Sequence, residues 1–241
     1  MLQFLRTSLP PRTAISHLTT IPLDNGRSLI RFYPVNSKSE SNSKYLVYNQ
    51  LPPAPTQSPN EANSSLCPPF HIHLYQDETF HILEGTAKFL TVQSSRSPQP
   101  PISDGITEQL ASSGDMAIIP KGQIHTFRTA STTSQLSLEF GFNPPACSPS
   151  SDPDQMQCFF RNTQGYRSDC LKHNTPRSLL QVLLFNHYAG VALVPQWLMR
   201  WPRLAMWMAG PLGKIMNTLG GLVVGMMVCG LKGSYDEYFH K

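Results

Sequence analysis

The chain has 241 residues, 40% hydrophobic and 14% charged, a balance that excludes a disordered polymer and is enough for one full domain with an appendage. Nineteen Lys and Arg against 15 Asp and Glu leave a net charge of +4. No basic stripe interleaved with aromatics appears, so nucleic acid is not expected as a partner. Five cysteines (Cys67, Cys147, Cys158, Cys170 and Cys229), an odd number without a CxxC spacing, predict free thiols in a reducing, cytoplasmic setting.

In chain order, residues 1–23 carry Arg6 and Arg12, several Ser and Thr, and no acid before Asp24. That bias is shared with mitochondrial transit peptides, but the favoured reading is a flexible segment, 1–24, leading into a first strand near 27–33. Asn63-Ser64-Ser65 is a formal glycosylation sequon and means little without a secretory signal. Short apolar runs at 28–34, 44–48, 71–75, 78–83, 87–93, 108–111, 115–120, 125–129 and 136–142 predict strands. Gly and Pro punctuate them, which predicts a mainly β sandwich or jelly-roll barrel over 25–142. The Pro- and Ser-rich stretch 94–105 reads as a surface loop inserted into it.

Within that core, Pro69-Phe70-His71-Ile72-His73 places two imidazoles one residue apart on an extended segment, hence on one face. Glu78 follows five residues after His73, near enough for a bend to return its carboxylate to the same spot. His125 stands in a strand–turn–strand pattern around Pro120 and Gly122. Three neutral nitrogens and one anionic oxygen suit a borderline divalent metal and leave positions open for water or substrate. Structural zinc sites usually include sulfur, so this set is read as catalytic, although four protein ligands can also close on zinc.

The two segments resemble the paired motifs of the cupin superfamily. His71, His73, Glu78 and Gly85 fall on the first, and Gly114, Pro120, Gly122 and His125 on the second. Ser65 stands where the first motif opens with Gly, and Thr129 where the second closes with Asn. The resemblance implies a cupin-type jelly-roll barrel with His71, His73, Glu78 and His125 as metal ligands. Iron, manganese, nickel and zinc are not distinguished by it.

Strand parity settles the neighbours. If Glu78 faces inward, so do Phe80 and Ile82, whereas Thr79, His81 and Leu83 face outward. His81 is therefore not expected to be a ligand. Gln76 and Asp77 are candidates for orienting a ligand through a hydrogen bond, or, for Gln76, for facing substrate. Cys67 is expected to pack beside the barrel mouth.

Beyond 142 the pattern turns helical, after a Pro- and Ser-rich linker at 143–155. In this helical extension, 156–241, it predicts a helix over 155–162, capped by Asp152 or Asp154, and a second over 177–188 that opens at Thr175-Pro176 and buries Leu179, Leu180, Leu183 and Leu184. His173 and His187 are expected to be packing or capping residues. Residues 196–208 combine three Trp with two Arg, and 215–231 is nearly uncharged and rich in Gly. A membrane-spanning helix needs about 20 apolar residues. The run is shorter, so a buried helical hairpin, on the barrel or at a homodimer interface, is expected in preference to contact with a membrane surface.

The whole is similar to small single cupins with helical extensions among fungal proteins, some of which serve secondary-metabolite pathways. The segments Cys158–Asn162, Gly165-Tyr166 and 178–181 carry that finer likeness. It implies a metal-dependent tailoring oxidoreductase, of dioxygenase type, acting on a small apolar or aromatic, polyketide-derived metabolite, with Glu78 as catalytic base. A non-redox isomerase, cyclase or decarboxylase using the same ligands, and a non-enzymatic metal-binding protein with a docking tail, remain open alternatives.

Overall fold

The computed structural model describes residues 9–33, 45–56, 64–92, 105–143 and 154–240. Residues 1–8 of the lead-in, Lys44, Asn63 of the sequon, most of the inserted loop (94–104), and Asp152, Cys147 and the rest of linker 144–153 lie outside them. The chain divides into two units, residues 19–144 with 193–210, and residues 1–18, 145–192 and 211–241.

The first unit is a two-sheet antiparallel β structure. One sheet runs in the order β1 (Thr20–Leu23), β2 (Ser28–Phe32), β3 (Val47–Leu51), β10 (Leu136–Asn143), β5 (Asp77–Glu84), β8 (Met116–Ile119). The other contains β4 (His71–His73), β9 (His125–Thr129), β6 (Thr86–Val92) and β7 (Ile106–Ser112), in that order. At its β4 edge the Val194 N–H donates to the Phe70 carbonyl at 2.9 Å. Thr20–Leu23, part of the predicted lead-in, pairs with β2 through Ile21 opposite Ile30. Its alternating pattern, with Ile21 and Leu23 buried, is what makes it a strand.

The space between the sheets is filled by aromatic rings. Phe80 of one sheet lies 5.0 Å from Phe89 and 5.2 Å from Phe127 of the other, and 5.7 Å from Phe140 beside it. Phe80 and Ile82 are fully buried while Leu83 and His81 face out, as parity requires. Thr79, expected outside, is also buried, paired with Gly141 of β10 and Ile118 of β8. Edge-on packing of such rings adds to the transfer of their large apolar area.

The β5–β6 turn carries the chain from one sheet to the other. Gly85 takes φ +78°, and a Cβ there would sit 2.2 Å from the Gln135 carbonyl oxygen. No L side chain fits that close approach.

The second unit is helical. α1 (Asp154–Lys172) extends well past the predicted 155–162. Asn174, at φ +47°, turns the chain left-handed after it, and Thr175 N–H returns to the Cys170 carbonyl at 2.8 Å. Thr175 is thereby engaged in ending α1, so α2 (Leu179–Ala189) starts later than predicted. Ser178 is its N-cap, accepting from Gln181 N–H. Leu179, expected inside, is consequently exposed in the first turn, while Leu180, Leu183 and Leu184 are buried.

Polar groups knit this unit together. Tyr235 donates its OH to Gln181 at 2.7 Å and its N–H to Asn162 at 2.9 Å; Tyr238 OH donates to Asp169 at 2.7 Å. Thr13 donates N–H and OH to the same Asp169, and Arg161 donates to the Leu18 carbonyl at 2.8 Å. Residues 9–18 are thus tied down by α1 rather than loose. Arg161, Asn162, Gly165, Tyr166, Ser178 and Gln181, which carried the finer resemblance, act here as structural residues.

The expected buried hairpin is not formed. α3 (Pro202–Met216) runs on without a break into a π-helical stretch, Asn217–Val228. The predicted apolar run counted only 215–231, whereas the helix is 27 residues, long and apolar enough by length and composition to cross a membrane. Pro211 lies inside it without ending it.

Gly85→Ala is expected to lower unfolding stability by more than about 2 kcal/mol, combining left-handed strain with the carbonyl clash. Gly26→Ala, at φ +82° but with open space around the new methyl, should cost only the strain, about 1–2 kcal/mol. Urea denaturation of the two variants checks the ordering.

Candidate metal centre

His71 and His73 lie on β4 with Ile72 between them, all three buried. β4 pairs antiparallel with β9 so that His71 faces His125 directly. The ring centroids of that pair are 4.2 Å apart, and those of His71 and His73 5.1 Å. Glu78 comes from the opposite sheet, on β5 between Ile119 of β8 and Phe142 of β10. The bend at Leu74–Tyr75 thus delivers the carboxylate across the core, not along the same sheet. All four candidate ligands predicted from sequence converge: one donor atom from each lies within 4.8 Å of the others, and every residue is buried. In a shell of bonds about 2.0–2.2 Å long no two ligands sit farther apart than about 4.4 Å, so a contraction of a few tenths of an ångström suffices.

Backbone carbonyls hold the rings. His71 Nδ1 is 3.0 Å from the Pro69 carbonyl and His125 Nδ1 is 3.0 Å from the Gln123 carbonyl, each two residues earlier. A carbonyl only accepts, so each Nδ1 carries the proton and each Nε2 is left with its lone pair. Yet His125 Nε2 is 3.0 Å from Glu78 Oε2, itself an acceptor when ionised. A neutral imidazole has one ring proton and cannot satisfy both neighbours; a cation between His125 Nε2 and Glu78 Oε2 uses both lone pairs. Neither ring nitrogen of His73 has a hydrogen-bond partner, although Nε2 lies 3.3 Å from Glu78 Oε2, too poorly aligned to count as bonded. A buried, unpartnered imidazole beside two lone pairs and a carboxylate is a donor set that fits a divalent metal.

The electrostatics agree. Burial raises the Glu78 carboxyl, but the field of His73 and the close contact with His125 overcome it and hold the Glu78 carboxyl well below the usual carboxylate range. Burial, and next the neighbouring His125 and His73, push His71 well below an ordinary histidine, so it stays neutral. Phe142 closes one wall, its ring 5.1 Å from His73.

The turns that frame the site are pinned to it. Gly122, at φ +76°, donates its N–H to the His73 carbonyl at 2.8 Å. Asp77, a candidate for orienting a ligand, instead accepts the Lys121 N–H at 2.9 Å on the exposed side of the bend. Gln76 is buried at 1% exposure beside Glu78, as its candidacy requires. Cys67 is half-buried, its N–H bonded to the Ser64 carbonyl. His81 is outside the site: its Nδ1 is 3.0 Å from Glu139, and Tyr45 stacks on it. Ser65, in place of the motif's Gly, has a partner for its backbone N–H that sequence did not reveal. Asp24 accepts its N–H at 2.8 Å and also bonds Ser28 and Ser64. Thr129, in place of Asn, donates its hydroxyl to the Pro52 carbonyl at 2.9 Å. The Pro69 and Gln123 carbonyls could have been suspected only from their common spacing of two residues before a ligand.

The paired motifs, the two facing sheets and the converging donors decide the architecture. It is a cupin fold. No protein-family profile matches the chain. The chain is 28% identical over 156 residues to the oxidoreductase iacF of Pestalotiopsis fici, covering 63% of this chain and 68% of that protein. Among solved structures it is similar to the Drosophila melanogaster CENP-C cupin domain, at 14% identity and a TM-score of 0.33, covering 58% of this chain and 90% of that one. A second, an oxalate oxidase, has 15% identity and a TM-score of 0.30 over 58% of this chain and 59% of its own. Superpositions this partial add nothing to the chemistry, which rests on the residues of this cupin barrel.

A divalent metal at 100 times its dissociation constant should stabilise the protein by about 2.7 kcal/mol, raising the melting temperature by roughly 5–10 °C. EDTA should reverse the rise and His73→Ala should abolish it. Differential scanning calorimetry with Mn²⁺, Zn²⁺ and anaerobic Fe²⁺ reads both.

Proposed function

We propose that this cupin is a metal-dependent oxidoreductase acting on a small apolar or aromatic metabolite, polyketide-like in its phenolic or enolisable oxygens. The observation that carries the proposal is the His71, His73, His125 and Glu78 set, whose two carbonyl-locked histidines and ionised carboxylate demand a cation. The oxidoreductase name of the relative from Pestalotiopsis fici supports the redox reading over a closed structural site. A metal held by these four residues would supply Lewis-acid polarisation of a substrate oxygen and, if redox-active, a path for electrons between substrate and dioxygen.

The chain's own residues supply the rest. The Pro69 and Gln123 carbonyls keep two imidazoles in the metal-binding tautomer without help from the substrate. Glu78 is the one anionic ligand, and its carboxylate is the group able to take a proton from a bound phenol or enol. Phe142, packed on His73, gives that end of the site an apolar wall that suits an aromatic ring and keeps water away.

Oxygen uptake by metal-loaded protein across a panel of phenolic and 1,3-diketone compounds is the test. Wild type is expected to consume oxygen in step with substrate. Glu78→Gln should lower turnover at least 100-fold, the range for removing a general base, and His71→Ala should lose both metal and activity. Turnover without oxygen consumption would replace the oxidoreductase by an isomerase, cyclase or decarboxylase on the same ligands. Full function in His71→Ala would end the metal reading altogether.

A further inference from the structure

We infer that the helix Pro202–Val228 lies along the surface of an anionic lipid bilayer, with its large apolar side chains immersed. The sides of this helix are the reverse of a core-facing amphipathic helix. Its buried positions are Ala205, Ala209, Gly213, Asn217, Gly221 and Gly225, every fourth residue and all but one without a side chain beyond Cβ. An α-helix advances such a row by about 40° every four residues, and the wider i→i+5 turn of Asn217–Val228 winds it back. From Gly213 onward the small side is committed within the second unit. A Cβ on Gly221 would meet the Leu183 and Leu184 backbone at 2.6 Å, one on Gly213 would meet Ala192 at 2.3 Å, and Asn217 donates to the Val191 carbonyl at 2.7 Å.

The large apolar residues are left facing water. Trp207 is 83% exposed and Val228 74%, with Ile215, Leu219 and Met227 exposed between them and Leu204 just before. An isolated exposed Leu needs no explanation, whereas a row of them along one helix does.

Charge names the occupant. Residues 170–235 hold six of the chain's 19 basic residues (Lys172, Arg177, Arg200, Arg203, Lys214 and Lys232) and none of its 15 acids. The remainder, with thirteen bases against fifteen acids, is net negative. Lys172, Arg177, Arg200, Arg203, Lys214 and Lys232 are all exposed. Trp197, Trp201 and Trp207, exposed near the helix start, are the residue type that settles at the headgroup level. Large exposed apolar side chains with exposed Arg203 and Lys214 on the same helix are the pattern of a helix lying in the plane of an anionic membrane. A second copy fits less well, because a two-fold contact along this helix would set its own Arg203 and Lys214 against their likes. Crossing the bilayer would break the Asn217 hydrogen bond and strip the small side of its packing.

The test is co-sedimentation of the full chain with sucrose-loaded vesicles of phosphatidylcholine alone and with 30 mol% phosphatidylserine. The expected result is binding at least tenfold tighter to the anionic vesicles, weakened by 0.5 M NaCl, with a blue shift of tryptophan emission. Leu219→Glu/Met227→Glu, both at exposed sites, should lose at least tenfold in vesicle binding while keeping the metal-induced rise in melting temperature. Absence of binding to both vesicle types would overturn the inference, as would a concentration-dependent dimer that the double variant dissolves. Retention of vesicle-bound protein through alkaline carbonate extraction would overturn the in-plane geometry in favour of a spanning helix.

Discussion

The central constraint is the position of His125 between two acceptors. One ring nitrogen is held by the Gln123 carbonyl and the other faces the Glu78 carboxylate, both at 3.0 Å. A neutral imidazole has one proton and cannot serve both. Much of the surrounding structure serves to keep that conflict in place. The β4–β9 register sets His71 against His125, and Gly122 ties the following turn to the His73 carbonyl. The aromatic core holds the second sheet, and with it Glu78, at a fixed distance. A cation resolves the conflict, and with two tautomers already locked, the cost of organising the ligands falls largely on folding and not on binding.

The centre was legible in the sequence because its information is local and chemical. Two histidines of one parity, a carboxylate after a bend, and a histidine after a Pro/Gly turn each leave a mark on the chain. The strand pattern was legible for the same reason, and His81 could be set aside by parity alone. What sequence concealed is non-local. Nothing in Asp24 announces that it will accept from Ser65 N–H forty-one residues away. Nothing in Thr175-Pro176, a good helix start by composition, reveals that Thr175 is already engaged in ending the preceding helix.

The C-terminal helix differs from its sequence expectation for a physical reason. Pro211 is tolerated inside it, and Trp207 and Met208 extend the apolar character upstream of 215. Apolar composition does not by itself mean an inward face. Here the inward side is defined by close approach, since Gly221 and Gly225 let the helix backbone sit against α2, and bulk is directed outward by exclusion.

That three ligands belong to one sheet and the fourth to the other makes the centre a gauge of the gap between them. The imidazoles move as a body with β4 and β9, whereas the carboxylate rides on β5. Anything that wedges the sheets apart, whether a bulky guest or a lost ring in the phenylalanine layer, draws away the anionic donor first and leaves the three nitrogens together. Such a vessel couples how tightly it is packed to how much charge its ion feels.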